Sequence, residues 1–349
     1  AFKDLKNAFD PNGIMNPGKI IETPGIKEML RLSPETKNIE IDTVMDFSAD
    51  GGFANHIELC NGQGACRRTD GGMCPSYMIT REEEHSTRGR ANLLRLIISG
   101  KLPYEELHGD RLQKAMDLCV ECKACKAECP SNVDMAKLKT ETLAKYYEHR
   151  RVPLRVKAFA NIATISQIGQ AFAPFSNLIS RFPLTGFFAK LFLGIASKRP
   201  LPSFANQRFS SWFKSRPRYR NASLRGKIVY YNDTFTEFMH PEVGQAAVRL
   251  LEALGYEVVI VNQKSCCGRP AISKGQLGLA YKWAADNVSA LLPYVHEGLK
   301  IVGTEPSCLL TLRDEYPDLL KSDEAIKVAN SAFMVDELIE QMVLNEQGF

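Results

Sequence analysis

Apolar residues recur at Leu112, Ala115, Met116 and Cys119, the i, i+3, i+4, i+7 spacing of one helix face, and Asp110 stands where a cap would. The periodicity puts Cys119 on the buried side. Amphipathic stretches predict further helices over 91–99, stopped by Gly100, and over 132–149. From Gly226 onward the pattern becomes short apolar runs alternating with helical ones. Strands are expected at 227–231, 258–261 and 301–303, with helices at 242–254, ended by Gly255, and at 273–294. Such alternation predicts βαβ units and a parallel sheet. Between these regions, 152–196 mixes aliphatic residues with Phe159, Phe172, Phe175, Phe182, Phe187, Phe188 and Phe192. There Pro153, Pro174 and Pro183 divide the chain into short helices.

A length of 349 residues, 44% hydrophobic and 24% charged, describes a globular chain too long for one ordinary core. Collagen-like, disordered and disulfide-miniprotein classes are excluded. No run approaches the ~18 apolar residues of a membrane span; the nearest, 186–196, is broken by Lys190. The chain starts Ala-Phe-Lys-Asp, without an initiator Met or a signal-peptide pattern, so a piece of something larger is expected. The net charge of +4 hides a segregation: residues 150–232 carry 15 Lys and Arg and no Asp or Glu. A field of that kind attracts anionic headgroups or an acidic partner. Nucleic acid is disfavoured, because no recognition motif accompanies the charge.

Ten cysteines change the picture most, seven of them between Cys60 and Cys129. Their spacing is too tight for loop-stapling disulfides, and metal is the better reading. Cys119-x2-Cys122-x2-Cys125-x3-Cys129-Pro130 is the bacterial ferredoxin run, in which three-residue steps turn successive thiolates onto a [4Fe–4S] cube. Zinc also accepts four thiolates but rarely needs three close steps followed by Cys-Pro. The earlier group, Cys60-x5-Cys66-x7-Cys74-Pro75, has three cysteines in a Gly-rich loop. In two-cluster ferredoxins the Cys before Pro serves the other cluster. Applied here, Cys74 joins Cys119, Cys122 and Cys125, and Cys129 joins Cys60 and Cys66, one ligand short. A [3Fe–4S] centre, a non-cysteine ligand (His56 and Asp70 being nearest) and the absence of a second cluster all remain open. Arg88 and Arg90, between the two runs, either screen cluster charge or are solvated arginines at a helix start.

Asp70-Gly-Gly-Met-Cys-Pro-Ser-Tyr77, Arg81-Glu-Glu-Glu-His-Ser-Thr-Arg-Gly-Arg90 and the Cys119–Pro130 run resemble the iron–sulfur half of fused FAD-linked oxidases. These join a D-2-hydroxyglutarate or D-lactate dehydrogenase to a part like the glycolate oxidase iron–sulfur subunit. The resemblance covers essentially the whole chain. It implies that Phe9-Asp-Pro-Asn-Gly-Ile-Met-Asn-Pro-Gly-Lys19 is the last turn of a flavin-oxidase cap domain, with Asn16 a flavin-site candidate and FAD bound on a part outside this chain. Read alone, the Pro and Gly there merely mark turns.

The C-terminal unit resembles one cysteine-rich repeat of the heterodisulfide reductase and glycerol-3-phosphate dehydrogenase type, the CCG domain. Cys266-Cys267-Gly268 follows the second strand and Cys308 the third, where parallel sheets gather ligands. The repeat's usual opening cysteine is replaced by Tyr231-Asn232-Asp233, and Cys308 lacks a partner three residues on. Cys266, Cys267 and Cys308 are therefore either a redox site completed by a further repeat or small buried hydrophobes. His240 and His296 carry no motif.

The fold expected is α+β and multidomain. It comprises a flavin-oxidase cap tail (1–22), a linker (23–50), a helical ferredoxin-like iron–sulfur domain (51–149), a basic helical segment (150–222) and an α/β cysteine-rich domain (223–349). The function expected is electron transfer within an FAD-dependent D-2-hydroxy-acid dehydrogenase. Electrons come from a flavin domain in cis or in trans, fed by a small 2-hydroxy acid, and go to a quinone or other carrier. A stand-alone iron–sulfur adaptor docking separate flavoproteins is the alternative, and no catalytic residue is assigned. The expected location is cytoplasmic; the basic segment is either a helical subdomain packed against the flavin domain or a peripheral contact with the inner face of the cell membrane.

Overall fold

In the computed structural model, the described residues are 1–28, 37–181, 183–196, 198–217, 225–261 and 264–345. Phe182 and the end of the basic segment, 218–222, lie outside them. The chain is largely helical, with one small sheet.

Helices in the cysteine-rich N-terminal region start where side chains can cap them. Ser86 accepts from the Gly89 N–H at 3.0 Å, so the helix begins at Thr87 and runs Thr87–Ile98, one turn earlier than the apolar pattern indicates. Asp134 does the same for Met135–Glu148, accepting from Lys137 N–H at 3.0 Å. That helix cannot start at Asn132, which is left-handed at φ +51°. Asp110 is not a cap: Gly109 holds that position and Asp110 lies in the first turn of Asp110–Asp117. Cys119 falls just beyond that helix and is half-buried.

The sheet has four parallel strands: β1 (Lys227–Tyr230), β2 (Glu257–Ile260), β3 (Ile301–Gly303) and β4 (Ala332–Met334), ordered β2-β1-β3-β4. Val229 pairs with Val259 on one side and Ile301 on the other, and Val302 with Phe333. β4 is not singled out by the sequence, because it follows the Asp323–Asn330 helix with only Ser331 between and runs straight into the Val335–Asn345 helix. The helix expected from Ser273 begins at Leu277, after a short Arg269–Ile272 turn, because Gly275 (φ +64°) breaks the path between them.

Alternation along the strands supplies two cores, as a parallel sheet covered on both faces requires. Ile228, Tyr230, Val258, Ile260 and Val302 pack against Phe209, Val248 and Leu338. Val229, Tyr231, Ile301 and Ala332 face the other way and join Ile272, Cys308 and Tyr316 in a core that continues into Met45, Ile57, Leu94 and Leu138. The iron–sulfur helices and one face of the sheet thus share a single apolar interior. Met45 belongs to it, although it falls within the expected linker, and the buried Glu141 carboxylate accepts the N–H groups of Val44 and Met45 at 3.0 and 3.1 Å.

Gly275 sits at the junction. A Cβ there would stand 2.8 Å from the Leu143 backbone carbon and 2.9 Å from the Ala144 nitrogen, on top of the unfavourable φ. Gly275→Ala is expected to cost about 2–4 kcal/mol of stability, read as a lowered urea midpoint at unchanged slope.

The basic segment folds as Leu154–Ala160, Ile162–Ala171, Ala173–Arg181 and Pro183–Leu193. Pro153, Pro174 and Pro183 stand at or beside helix starts, where a missing N–H costs nothing. Phe172, Phe175, Leu178, Phe187, Leu191 and Phe192 remain exposed. No helix among the described residues is long and apolar enough to cross a membrane.

Candidate metal centre

The Cys60–Cys74 loop follows the Phe53–Glu58 helix and turns through Gly62 (φ +85°) and Gly64 (φ +82°) into a short 3-10 turn, Ala65–Arg67, that buries Cys66. Cys74 is itself left-handed and starts the Pro75–Thr80 helix. The first N–H groups of Thr87–Ile98 point at these sulfurs. Thr87 N–H donates to Cys74 Sγ at 3.1 Å, and Arg88 N–H to Cys66 Sγ at 3.4 Å. A helix N-terminus with unpaired N–H groups favours thiolates. Cys66 and Cys74 also contact each other, so the Cys74 thiol donates to Cys66. That contact, with the Arg88 N–H, holds the Cys66 thiol below its ordinary pKa. Cys74 is driven up by the same hydrogen bond and by burial.

The second run is folded by two left-handed non-glycine residues, Glu121 (φ +55°) and Lys123 (φ +59°), each costing about 1–2 kcal/mol. Both are pinned from outside the loop. The buried Glu121 carboxylate is 3.1 Å from Arg269 Nη1 and 3.4 Å from Lys139 Nζ. Lys123 Nζ reaches Asp314 at 2.9 Å and Glu315 at 2.8 Å. Cys125 is buried, Cys119 and Cys129 are half-buried and Cys122 is exposed. Burial pushes the Cys125 thiol up to about 11 against a Met135 N–H bond that favours the thiolate.

Cys60, Cys66 and Cys129 line one small cavity together with Gln63, Thr87, Arg88 and Val133. Cys119, Cys122 and Cys125 stay near one another. Cys74 touches Cys66 and Thr87, while Gly72, two residues earlier, donates to Glu128 of the second run at 3.2 Å. Its loop therefore lies between the two groups of thiols. The two non-cysteine ligands suggested by the sequence do not meet the cavity. His56 is held at Nδ1 by Asp50 (2.6 Å) and at Nε2 by the Asp134 backbone, and Asp70 is exposed elsewhere. Gln63, which a count of metal-binding residue types does not single out, does line it.

The arginines divide. Arg88 lies beside Cys60 and Cys66 and bonds Glu83 at 2.7 and 3.0 Å; that pairing, and then the nearby thiols, raise its pKa further. Arg90 is not a solvated arginine: it is 1% exposed and donates to the Ala115 carbonyl (2.7 Å) and Ser76 Oγ (3.1 Å), bracing the loop.

These thiols fit iron–sulfur clusters. None is in a disulfide, backbone N–H groups donate to their sulfurs, and all but Cys122 lie in or against one core. Among the described residues no three thiols converge tightly enough to share one ion, which weighs against mononuclear zinc.

In the α/β unit, Cys267 contacts Cys266 and Cys308 and its thiol is held high, since the bond it donates to Cys308 and its burial outweigh the one it accepts from Cys266. Tyr316 Oη donates to the Cys267 carbonyl at 3.0 Å, and Asn287 Nδ2 donates to the Cys266 carbonyl at 2.9 Å. The Tyr231 hydroxyl, buried beside the three cysteines, makes no hydrogen bond among the described residues. An adjoining pocket at the ends of β1 and β2 is lined by Asn232, Asp233, Lys264, Cys266 and Trp283. Asp233, at the repeat's opening position, caps Thr234–Phe238 through Phe235 N–H (2.7 Å) and Thr236 N–H (3.1 Å). At the other end of the chain, Asn16 is exposed and left-handed at φ +47°.

Comparison with known families places a 4Fe-4S dicluster domain at residues 59–134, a cysteine-rich domain at 230–313 and the C-terminal domain of FAD linked oxidases at 1–20. The D-2-hydroxyglutarate dehydrogenase of Pseudomonas putida is 27% identical over 98% of this chain and 38% of its own length. An anaerobic glycerol-3-phosphate dehydrogenase subunit of Escherichia coli is 28% identical over 56% of this chain and 49% of its own. The glycolate oxidase iron-sulfur subunit of Escherichia coli is 25% identical over 82% of this chain and 64% of its own. The chain spans little more than a third of the length of the D-2-hydroxyglutarate dehydrogenases it matches. No solved structure matches.

Proposed function

We propose that this chain, an iron–sulfur oxidoreductase component related to the FAD-linked oxidases, carries electrons away from a flavin that a small D-2-hydroxy acid of the hydroxyglutarate or lactate class has reduced. The observation carrying this reading is the gathering of the seven cysteine thiols from Cys60 to Cys129, none in a disulfide and all but Cys122 in or against one core. Their second loop is tied by Glu121 and Arg269 to the segment just after Cys266 and Cys267. Bound clusters supply one-electron steps between a two-electron donor and an acceptor. The chain's own residues bury them, donate N–H groups from Thr87 and Arg88, and fix their orientation. By this reading Cys74 and Cys129 are ligands along with Cys60, Cys66, Cys119, Cys122 and Cys125, and Asn16 approaches the flavin.

The acceptor is a quinone or a small carrier docking near the pocket of Lys264 and Cys266, which lies where strands β1 and β2 end. The exposed aromatic residues of the basic segment support peripheral contact with an anionic membrane. Relatives named as separate subunits support a second arrangement, with the flavin protein docking in trans.

The test is anaerobic mixing of the flavin-containing holoenzyme with D-2-hydroxyglutarate, D-lactate or glycolate. One of the first two should bleach the broad visible absorption of the clusters after flavin reduction. Flavin reduction without cluster bleaching would overturn the reading.

A further inference from the structure

In the second run Cys119, Cys122 and Cys125 are separated by equal three-residue steps. The same steps start from Cys60 and reach Cys66, but the middle position is Gln63. That residue lines the cavity formed by Cys60, Cys66 and Cys129. Its side chain is exposed, and its amide makes none of the hydrogen bonds described; only its backbone is held, by Asn61 Oδ1 at 3.0 Å. His56 and Asp70 offer nothing to the cavity, for the reasons given above.

We propose that the Cys60–Cys66–Cys129 site binds its cluster through three thiolates, with the fourth corner facing Gln63 and solvent. One iron there has a weak neutral oxygen ligand, the Gln63 amide or water, in place of sulfur. Soft thiolates hold iron in such clusters far better than neutral oxygen does, so this iron is the exchangeable one. One thiolate fewer also makes the site less negative by one charge. With Arg88 beside Cys60 and Cys66, it should be the more easily reduced of the two.

The inference rests on the cluster reading above and is tested apart from it. Anaerobically loaded full chain is treated with ferricyanide and desalted, and then iron, sulfide and the electron paramagnetic resonance of the oxidised protein are measured. Ferricyanide takes one electron from a [4Fe–4S]2+ cluster, which releases Fe2+ and leaves [3Fe–4S]+, paramagnetic as oxidised. Wild type should lose one iron and no sulfide and show about one spin per chain. Gln63→Cys, a change at an exposed position, should keep its iron and lower the spin roughly tenfold. Gln63→Ala should behave as wild type. Full retention of iron by wild type, or equal loss from Gln63→Cys, overturns the inference while leaving the clusters in place. A wild-type chain that takes up neither iron nor sulfide defeats the cluster reading itself, and this inference with it.

Discussion

Cys125→Ser should halve, approximately, the iron and sulfide the chain binds and slow substrate-driven electron delivery by a hundredfold or more, roughly. Cys125 is 7% exposed, and burial holds its thiol up at about 11 without metal. Iron must therefore displace a proton from a group that keeps it throughout the neutral range. A serine hydroxyl is far harder to deprotonate and offers hard oxygen where iron in a cluster wants soft sulfur. Loading should also weaken as pH falls: the raised pKa means the proton to be displaced is bound at every pH below about 11. Cys122→Ser separates ligation from packing, because Cys122 is exposed. It should lose the same iron with less effect on folding. Undiminished iron and unchanged spectra in both variants would remove these residues from the site.

The second large effect concerns the ion pairs that hold the left-handed loop. Glu121→Gln leaves Lys139 (9% exposed) and Arg269 without their shared carboxylate, and about 3–5 kcal/mol should be lost. Arg269→Met removes both the 3.1 Å contact to the carboxylate and the 3.3 Å bond to the Glu121 carbonyl. The two changes together should cost less than their sum, as expected for partners in one buried network. Denaturant midpoints of the metal-free chain measure this directly. In the loaded protein, Arg269→Met should also broaden the resonance of the reduced cluster near Cys119, because the loop loses its anchor. Strictly additive costs would show that the pair contributes no coupling.

The ferredoxin run, the Cys-Pro turns and the βαβ alternation are legible in the sequence because each is local. Three-residue steps, period 3.6 and short apolar runs fall within a window of a dozen residues. Arg90 is not legible as a buried brace, since its partners Ser76 and Ala115 lie in other elements. Nor is the anchoring of Glu121 by Arg269, 148 residues away. β4, no shorter than β3, is hidden because only Ser331 separates it from the helix before and nothing from the helix after. Gln63 is a different case. Counting cysteines hides the position where one would fall, whereas overlaying the spacing of the two runs reveals it.

The apolar interior that runs from Ile57 and Leu94 through Ile272 to Tyr316, pinched at Gly275 against Leu143, leaves no slack between the helical half and the sheet. Such a seam is poorly suited to recombination. A chimera splicing the iron-binding half onto a foreign sheet would set unmatched apolar surfaces against each other along this seam and should lose stability in both halves.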